Sequence, residues 1–260
     1  MHSMHRRRPT SGWPLTVKYR NRIEEGEDSI LTVQRARHGR FRCFPRTVRR
    51  LTVAEARESA TFPAMSEVPL QVLAVVGSLR ERSVTRIVLE HVVERLRARG
   101  AAVDLLDLSL EPLPLYNPDT AYDHPAFPPL QARVEHADVY LLGTPDYHGS
   151  ISSPLKNFLD HFWREFAGKL FAPLVASHEK GLTAIDQLRT VARQCYAWSL
   201  PYGVSFLEDD VGEDVVLNPK LVQRLEMFEH DARVYGSLLA RQRRADLAGV
   251  DPGFLARYRK

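Results

Sequence analysis

The run Gln71-Val72-Leu73-Ala74-Val75-Val76 shows no polar alternation and stops at Gly77. A strand with one wet face alternates apolar and polar side chains; an unbroken run needs cover on both faces, as a central parallel strand has. The next segment supplies such cover: Val84–Arg99 reads as a helix with Val84, Ile87, Val88, Val92 and Leu96 on one face and Gly100 as its stop. A second strand is expected at Val103–Leu108. A crossover rich in proline (Pro112, Pro114, Pro118, Pro125, Pro128, Pro129), a short helix at Leu130–His136 and a third strand at Val139–Gly143 follow.

In the next helix Leu155, Phe158, Leu159, Phe162, Trp163 and Phe166 step by three and four, with Ser153 able to cap it and Pro154 in the first turn. Phe158 and Phe162 read as core, and Trp163 and Phe166 as core or subunit interface. A fourth strand at Leu170–Ala176, a helix at Leu182–Tyr196 and a fifth strand at Tyr202–Phe206 come next. The last helix is expected from Pro219 to Arg241, turning Leu221, Leu225, Phe228, Ala232, Tyr235 and Leu239 inward, before a frayed polar tail from Arg243.

Strands alternating with helices imply an α/β fold with a doubly wound, five-stranded parallel sheet, and five strands suit the flavodoxin-like order 2-1-3-4-5. In such sheets ligands bind beyond the carboxyl ends of the strands, where the order reverses between strands 1 and 3.

The whole chain carries 36 Lys and Arg against 32 Asp and Glu, but the excess is local. Residues 1–68 hold 14 basic and 7 acidic residues; the rest hold 22 and 25. The basic balance therefore belongs to the leader and does not point to nucleic acid. The leader lacks an apolar signal core, and Glu24, Glu25, Glu27 and Asp28 are wrong for a transit peptide. Residues 1–68 are read as a disordered extension or a misassigned start, with Met65 as the alternative first residue. Residues 69–242 form the folded domain and 243–260 a polar tail. A basic arm for nucleic acid is the competing reading of the leader. No run approaches 18 apolar residues, and the expected location is cytoplasmic.

Three loops leave the strands at one edge. Gly77-Ser78-Leu79-Arg80-Glu81-Arg82-Ser83-Val84-Thr85 joins a buried strand to a helix start, where N–H groups, the hydroxyls of Ser78, Ser83 and Thr85, and the Arg80 guanidinium suit a phosphate. It is neither a P-loop nor Gly-x-Gly-x-x-Gly, and a plain capped helix start with a solvated Arg80 explains it equally. The segment Thr144-Pro145-Asp146-Tyr147-His148-Gly149-Ser150-Ile151-Ser152 could bond a flat heterocycle through its N–H groups, with Tyr147 for stacking. His148 there is a wall residue before it is an acid or base. Ser177-His178-Glu179-Lys180-Gly181 closes the edge, either meeting an anionic substituent or forming a solvated turn.

Gly77-Ser78-Leu79-Arg80-x-x-Ser83, Thr144-Pro145-x-Tyr147-x-Gly149-Ser150 and Leu155-Lys156-Asn157-x-x-Asp160 together resemble the NADPH-dependent FMN reductase family, over roughly Gln71 to Phe206. The resemblance implies non-covalent FMN. Its phosphate would lie on Ser78, Arg80 and Ser83 and the backbone of Val84 and Thr85. Its ring would lie along Pro145, Asp146, Tyr147, His148, Gly149 and Ser150, with Ser177 at the edge. It also implies NADPH or NADH as co-substrate, a small-molecule electron acceptor (free flavin, quinone or azo compound) and a homodimer or tetramer. Lys156, Asn157 and Asp160 are read as support for the ring loop or as subunit contacts. Many members carry a glycine-rich segment after the fourth strand, which Ser177–Gly181 replaces here.

Flavin chemistry is supplied by the cofactor, so no catalytic residue of the protein is expected. Cys195 falls at core spacing with Ala192 and Tyr196 and reads as packing; no metal site is expected. The alternative function is a flavin-binding electron carrier or sensor without nicotinamide turnover.

Overall fold

In the computed structural model the described residues are 68–249, together with the backbone of three leader strands. The chain divides into two units, Met1–Glu67 and Val68–Lys260. Within the first, Arg20–Asn21, Ser29–Arg35 and Phe41–Thr47 pair antiparallel in sequence order. The expectations for the rest of the leader and for 250–260 fall outside the described residues.

The second unit is a doubly wound parallel sheet. Its principal strands are β1 (Gln71–Val76), β2 (Ala102–Asp107), β3 (Val139–Tyr147), β4 (Leu170–Ala176) and β5 (Val204–Phe206), in the spatial order β5-β4-β3-β1-β2. This is the 2-1-3-4-5 arrangement. Helices α1 (Val84–Ala98), α2 (Phe127–His136), α3 (Ser153–Asp160), α4 (Leu182–Gln194) and α5 (Pro219–Ala248) cover it. The apolar runs are apolar for two different neighbours. Val72, Ala74 and Val76 of β1 pack into the α1/α5 layer, while Leu73 and Val75 pack into the α2–α4 layer. β3 and β4 divide the same way, with Val139, Leu141, Leu170 and Ala172 on the first face and Tyr140, Leu142, Phe171 and Val175 on the second.

The sheet has seven strands rather than five. Ser150–Ile151 folds back antiparallel on the end of β3, and Trp198–Ser199 runs beside the start of β4. Two-residue strands carry no readable periodicity, and Pro201, which has no N–H to donate, separates Trp198–Ser199 from β5.

Several helix boundaries move. The inward stripe of α1 uses Leu89 and Val93, while Ile87 and Val84 are only half-buried. α3 stops at Asp160, and Phe166 reaches the core through a separate 3-10 turn, Arg164–Phe166. There Phe166 meets Tyr140 and Phe171 edge-on, at 5.0 and 5.1 Å between ring centres. Trp163 is left half-exposed, donating Nε1–H to the Gln194 carbonyl at 3.2 Å. The cap is Ser152 rather than Ser153. α5 continues through the expected frayed segment to Ala248, where Arg244 pairs with the buried Asp138 at 3.4 Å. Its buried stripe runs Leu221, Leu225, Phe228, Ala232, Gly236, Ala240, and Tyr235 faces out.

Candidate functional site

At the carboxyl edge the chain leaves β1 toward α1 on one face and leaves β3 toward α3 on the other, which is the reversal point where sheets of this order form a ligand crevice. The two exits are bolted together at their base. Gly77 donates its N–H to the Gly143 carbonyl at 2.8 Å, prolonging the β1–β3 ladder. A Cβ on Gly77 would lie 2.8 Å from both that oxygen and the Leu155 Cβ, so only glycine allows the approach. Ser152 donates Oγ–H to the Gly77 carbonyl at 2.6 Å, and its N–H reaches Thr144 Oγ1 at 2.9 Å. The same Oγ receives the Leu155 N–H and caps α3. One hydroxyl thus joins both loops and a helix start. A Ser-Ser-Pro sequence offers two caps, and the contact to Gly77 spans 75 positions, so periodicity could not have singled out Ser152.

On the β1 side Ser78 and Ser83 are nearly buried. Ser78 Oγ accepts the Arg80 N–H at 3.3 Å and shapes the turn; Ser83 Oγ accepts the Arg86 N–H at 3.2 Å and caps α1. Both hydroxyls use an acceptor lone pair in these bonds and keep a proton to donate. The first-turn N–H groups of Val84 and Thr85 have no intrahelical acceptor, as at any helix start. The Thr85 side chain is turned inward, its methyl 3.0 Å from where a Cβ on Gly143 would stand, so its backbone rather than its hydroxyl is what the loop can offer. Arg80 is more than half exposed and pairs with Glu208, 2.9 Å from Nη1.

Arg86 braces this loop from outside. Its Nε meets Asp107 at 2.5 Å, while its Nη2 and Nη1 donate to Ser109 Oγ and the Glu81 carbonyl, each at 2.9 Å. Burial pushes the Asp107 carboxyl up, but hydrogen bonds from Arg86 and Ser109 outweigh it and hold it below the usual range. Arg86 and Asp107 stand 21 positions apart on different elements, so no local pattern signals this clamp.

On the β3 side the segment read as a loop is mostly strand. Pro145, Asp146 and Tyr147 prolong β3, and only His148 and Gly149 turn, with φ 56° and 77°, between the paired residues Tyr147 and Ser150. Two positive φ values make this a two-residue hairpin of the I′ kind. His148 is therefore the exposed tip of a hairpin. Gln187 of α4 holds the returning arm, accepting from Ser150 Oγ and the Ile151 N–H at 3.0 Å each. Tyr147 stands half-exposed at the rim. Asp146 accepts from Ser177 Oγ at 3.0 Å through Oδ2, and its buried Oδ1 has no partner. Ser177 also sends its N–H to the Phe206 carbonyl at 2.9 Å, so the exits of β3, β4 and β5 are linked in a row. His178, Glu179 and Lys180 are exposed.

Asn157 is a latch beneath this edge. Its Oδ1 accepts the Tyr116 N–H at 2.7 Å and its Nδ2 donates to the Pro114 carbonyl at 2.9 Å, pinning the proline-rich crossover to α3. Lys156 pairs with Asp160 one turn on, at 2.6 Å. Cys195 is buried, and burial pushes its thiol up to about 11, which keeps it protonated and inert. Among the described residues no group of three or more His, Cys, Asp and Glu could hold a metal ion.

The edge thus presents an anion cradle made of N–H and O–H donors next to a rim with an exposed aromatic ring and an unsatisfied buried acceptor. Those features fit FMN, a phosphomonoester joined to a flat, hydrogen-bonding ring. A sequence profile described as NADPH-dependent FMN reductase matches residues 70–211, just over half the chain. The chain belongs to the NADPH-dependent FMN reductase family. Its relatives include the NADPH azoreductase of Bacillus sp. (strain OY1-2), 31% identical over 154 residues, covering 56% of this chain and 84% of that protein. The NADPH-dependent FMN reductase ArsH of Shigella flexneri is 31% identical over 140 residues, covering 51% of this chain; the chain spans 54% of the length of that relative. Two solved structures share the fold. FerB, a flavoenzyme NAD(P)H:(acceptor) oxidoreductase from Paracoccus denitrificans, superposes with TM-score 0.55 at 22% identity, over 66% of this chain and 98% of that one. The apo NADH:FMN oxidoreductase EMOB gives TM-score 0.55 at 18% identity, over 64% and 89%. The family is one of oxidoreductases that work with FMN and a reduced nicotinamide.

Proposed function

We propose that this chain binds FMN without a covalent link at the carboxyl edge and uses NADPH or NADH to reduce it, for delivery to a small-molecule acceptor. The observation that carries the reading is the joined pair of exits, Gly77–Ser83 and Pro145–Ser150, tied through Ser152 and framing one crevice. Bound there, FMN supplies hydride acceptance from the nicotinamide and onward electron transfer.

The chain's own residues then have binding duties. Ser78 and Ser83 donate their free hydroxyl protons to the phosphate, joined by the Val84 and Thr85 N–H groups and the Arg80 guanidinium. Pro145, Asp146, Tyr147, His148, Gly149 and Ser150 line the ring, and Ser177 orients Asp146. The unpartnered Oδ1 of Asp146 accepts an N–H, since a buried carboxylate oxygen left bare is costly. No proton relay is required of the protein. The names of relatives supply the acceptor classes, azo compounds, quinones and free flavin. A homo-oligomer in the cytoplasm, with the crevice near a subunit contact, completes the reading; none of the described helices is long and apolar enough to cross a membrane.

The test is direct. Purified protein is expected to be yellow or to turn yellow with FMN, to release FMN on denaturation, and to bleach within seconds when NADPH or NADH is added anaerobically. A protein that FMN neither colours nor protects against heat refutes the reading. Flavin that binds but stays oxidised for minutes indicates an electron carrier instead.

A further inference from the structure

Arg80 is the only guanidinium that the proposed phosphate cradle uses, and it is already engaged. Its Nη1 lies 2.9 Å from Oε1 of Glu208, on the exit of β5. Both side chains are more than half exposed, so the pair is weak and exchangeable. The backbones beneath them are fixed. The Arg80 N–H is bound by Ser78 Oγ. Glu208 opens a 3-10 turn, Glu208–Asp210, whose Asp210 carboxylate accepts from the Leu207 N–H at 2.8 Å and from Asn218 Nδ2 at 2.6 Å. The Asp210 carbonyl accepts from the Leu217 N–H at 2.8 Å. Two hydrogen-bonded backbone segments thus carry two exposed charged tips. The exit of β5 also holds Asp209, Glu213 and Asp214, all exposed.

We propose that Glu208 is an internal competitor for Arg80: its carboxylate occupies the guanidinium in the flavin-free protein and is displaced by the phosphate of FMN. The inference rests on the FMN reading above. A carboxylate bears one charge and a phosphomonoester nearly two, with three acceptor oxygens, so the phosphate wins the fork but gains less than it would from a free arginine. The consequence is a cofactor held loosely enough to exchange. FMN then leaves the site several-fold faster than it would leave a fully committed arginine.

Titration of the full chain with FMN and with riboflavin, which lacks the phosphate, tests this in four proteins: wild type, Glu208→Gln, Arg80→Gln and the double variant. Glu208→Gln is expected to tighten FMN by about three- to tenfold, chiefly by slowing release, and to leave riboflavin unchanged. In the Arg80→Gln background the same change is expected to shift FMN by less than about twofold. Unliganded melting temperatures report whether each variant folds. Weaker FMN binding in Glu208→Gln would make the carboxylate a support for Arg80 and overturn the proposal. Unchanged binding, equal tightening with and without Arg80, or a change confined to the KM for NADPH would each overturn it too. Absence of FMN binding in wild type would overturn both this and the FMN reading, whereas binding without the Glu208 effect would remove this inference alone.

Discussion

The two ends of the sheet are built from the same strands and solve opposite problems. At the amino end one polar cluster is buried and fully used. Lys169, just before β4, is 1% exposed and gives its protons to the Val134 and Glu135 carbonyls at 2.7 and 2.8 Å and to Tyr140 Oη at 3.2 Å. Tyr140 in turn donates to the Val134 carbonyl at 2.6 Å. These are the last carbonyls of α2, so a buried amino group closes a helix C-terminus. At the carboxyl end the polar groups are half-used: Ser78 and Ser83 keep donors, Asp146 keeps an acceptor, and Arg80 has a loose partner. A cavity of about 430 Å³ does lie at the amino ends of β1 and β2, lined by Gln71, Ala102, Asp104, Arg133 and His136. Parallel strands, however, send helix N-termini to the carboxyl edge and C-termini to the amino edge, and only the former attract a phosphate.

If the comparison holds, substitutions at the amino end lower stability and spare FMN, and those at the carboxyl end do the reverse. The largest expected effect breaks the rule on purpose. Gly77→Val sits at the bolt joining the two exits, and its side chain would collide with Gly143 O and Leu155, so denaturant melts should show a loss of about 3 kcal/mol or more together with lost FMN binding. A stable, FMN-binding variant would show that the bolt does not shape the crevice.

Lys169→Met comes next. It leaves the Glu135 carbonyl without its donor and should cost about 2 kcal/mol with FMN affinity unchanged. This site also carries a pH signature. Burial lowers the Lys169 pKa from 10.5 to about 7, with Arg243 adding to the effect. Between those values the unfolded chain holds a proton that the folded one lacks, so stability rises with pH. Below about pH 7 both states are protonated and the group contributes no slope. The stability gap between wild type and Lys169→Met is therefore expected to widen from pH 7 to 9.5. A gap that stays constant over that range would mean that the ammonium, with its three acceptors, stays charged in the fold.

Arg80→Gln should weaken FMN by roughly tenfold or more, leave riboflavin alone and shift the unliganded melting temperature by less than about 2 °C. The smallest effect is expected at Asn157→Ala, which frees the Tyr116 N–H and the Pro114 carbonyl at about 1 kcal/mol. Proteolysis within residues 108–120 should rise in that variant, and unchanged cleavage would show that the crossover is held by other contacts.

Much of this was legible before any coordinates. β1 and β4 begin and end where their apolar runs do, because a strand buried on both faces tolerates no polar interruption. Ser83 as cap of α1 and the 2-1-3-4-5 order were readable for equally local reasons. The misses share a cause as well. Ser152 gains its meaning from Gly77, Arg86 from Asp107 and Arg80 from Glu208, and each pair is brought together by the crossovers rather than by spacing along the chain. Proline and aspartate are poor strand residues, so Pro145–Tyr147 reads as loop, yet the return arm at Ser150–Ile151 pairs with Asp146 and Tyr147. The polar residues after Arg241 carry no apolar stripe to read, yet α5 runs on to Ala248, and Arg244 meets the buried Asp138, more than a hundred positions away.

The sequence by itself determined the alternation of strands and helices, the two helix layers and the edge at which helix N-termini gather, since these follow from short-range periodicity and from the right-handed crossovers of parallel strands. Tertiary structure decided which donors at that edge remain free, which carboxylate stands against Arg80, and which end of the sheet spends its charges on stability. Those outcomes depend on desolvation and on partners met only after folding, and neither is written in the order of the residues.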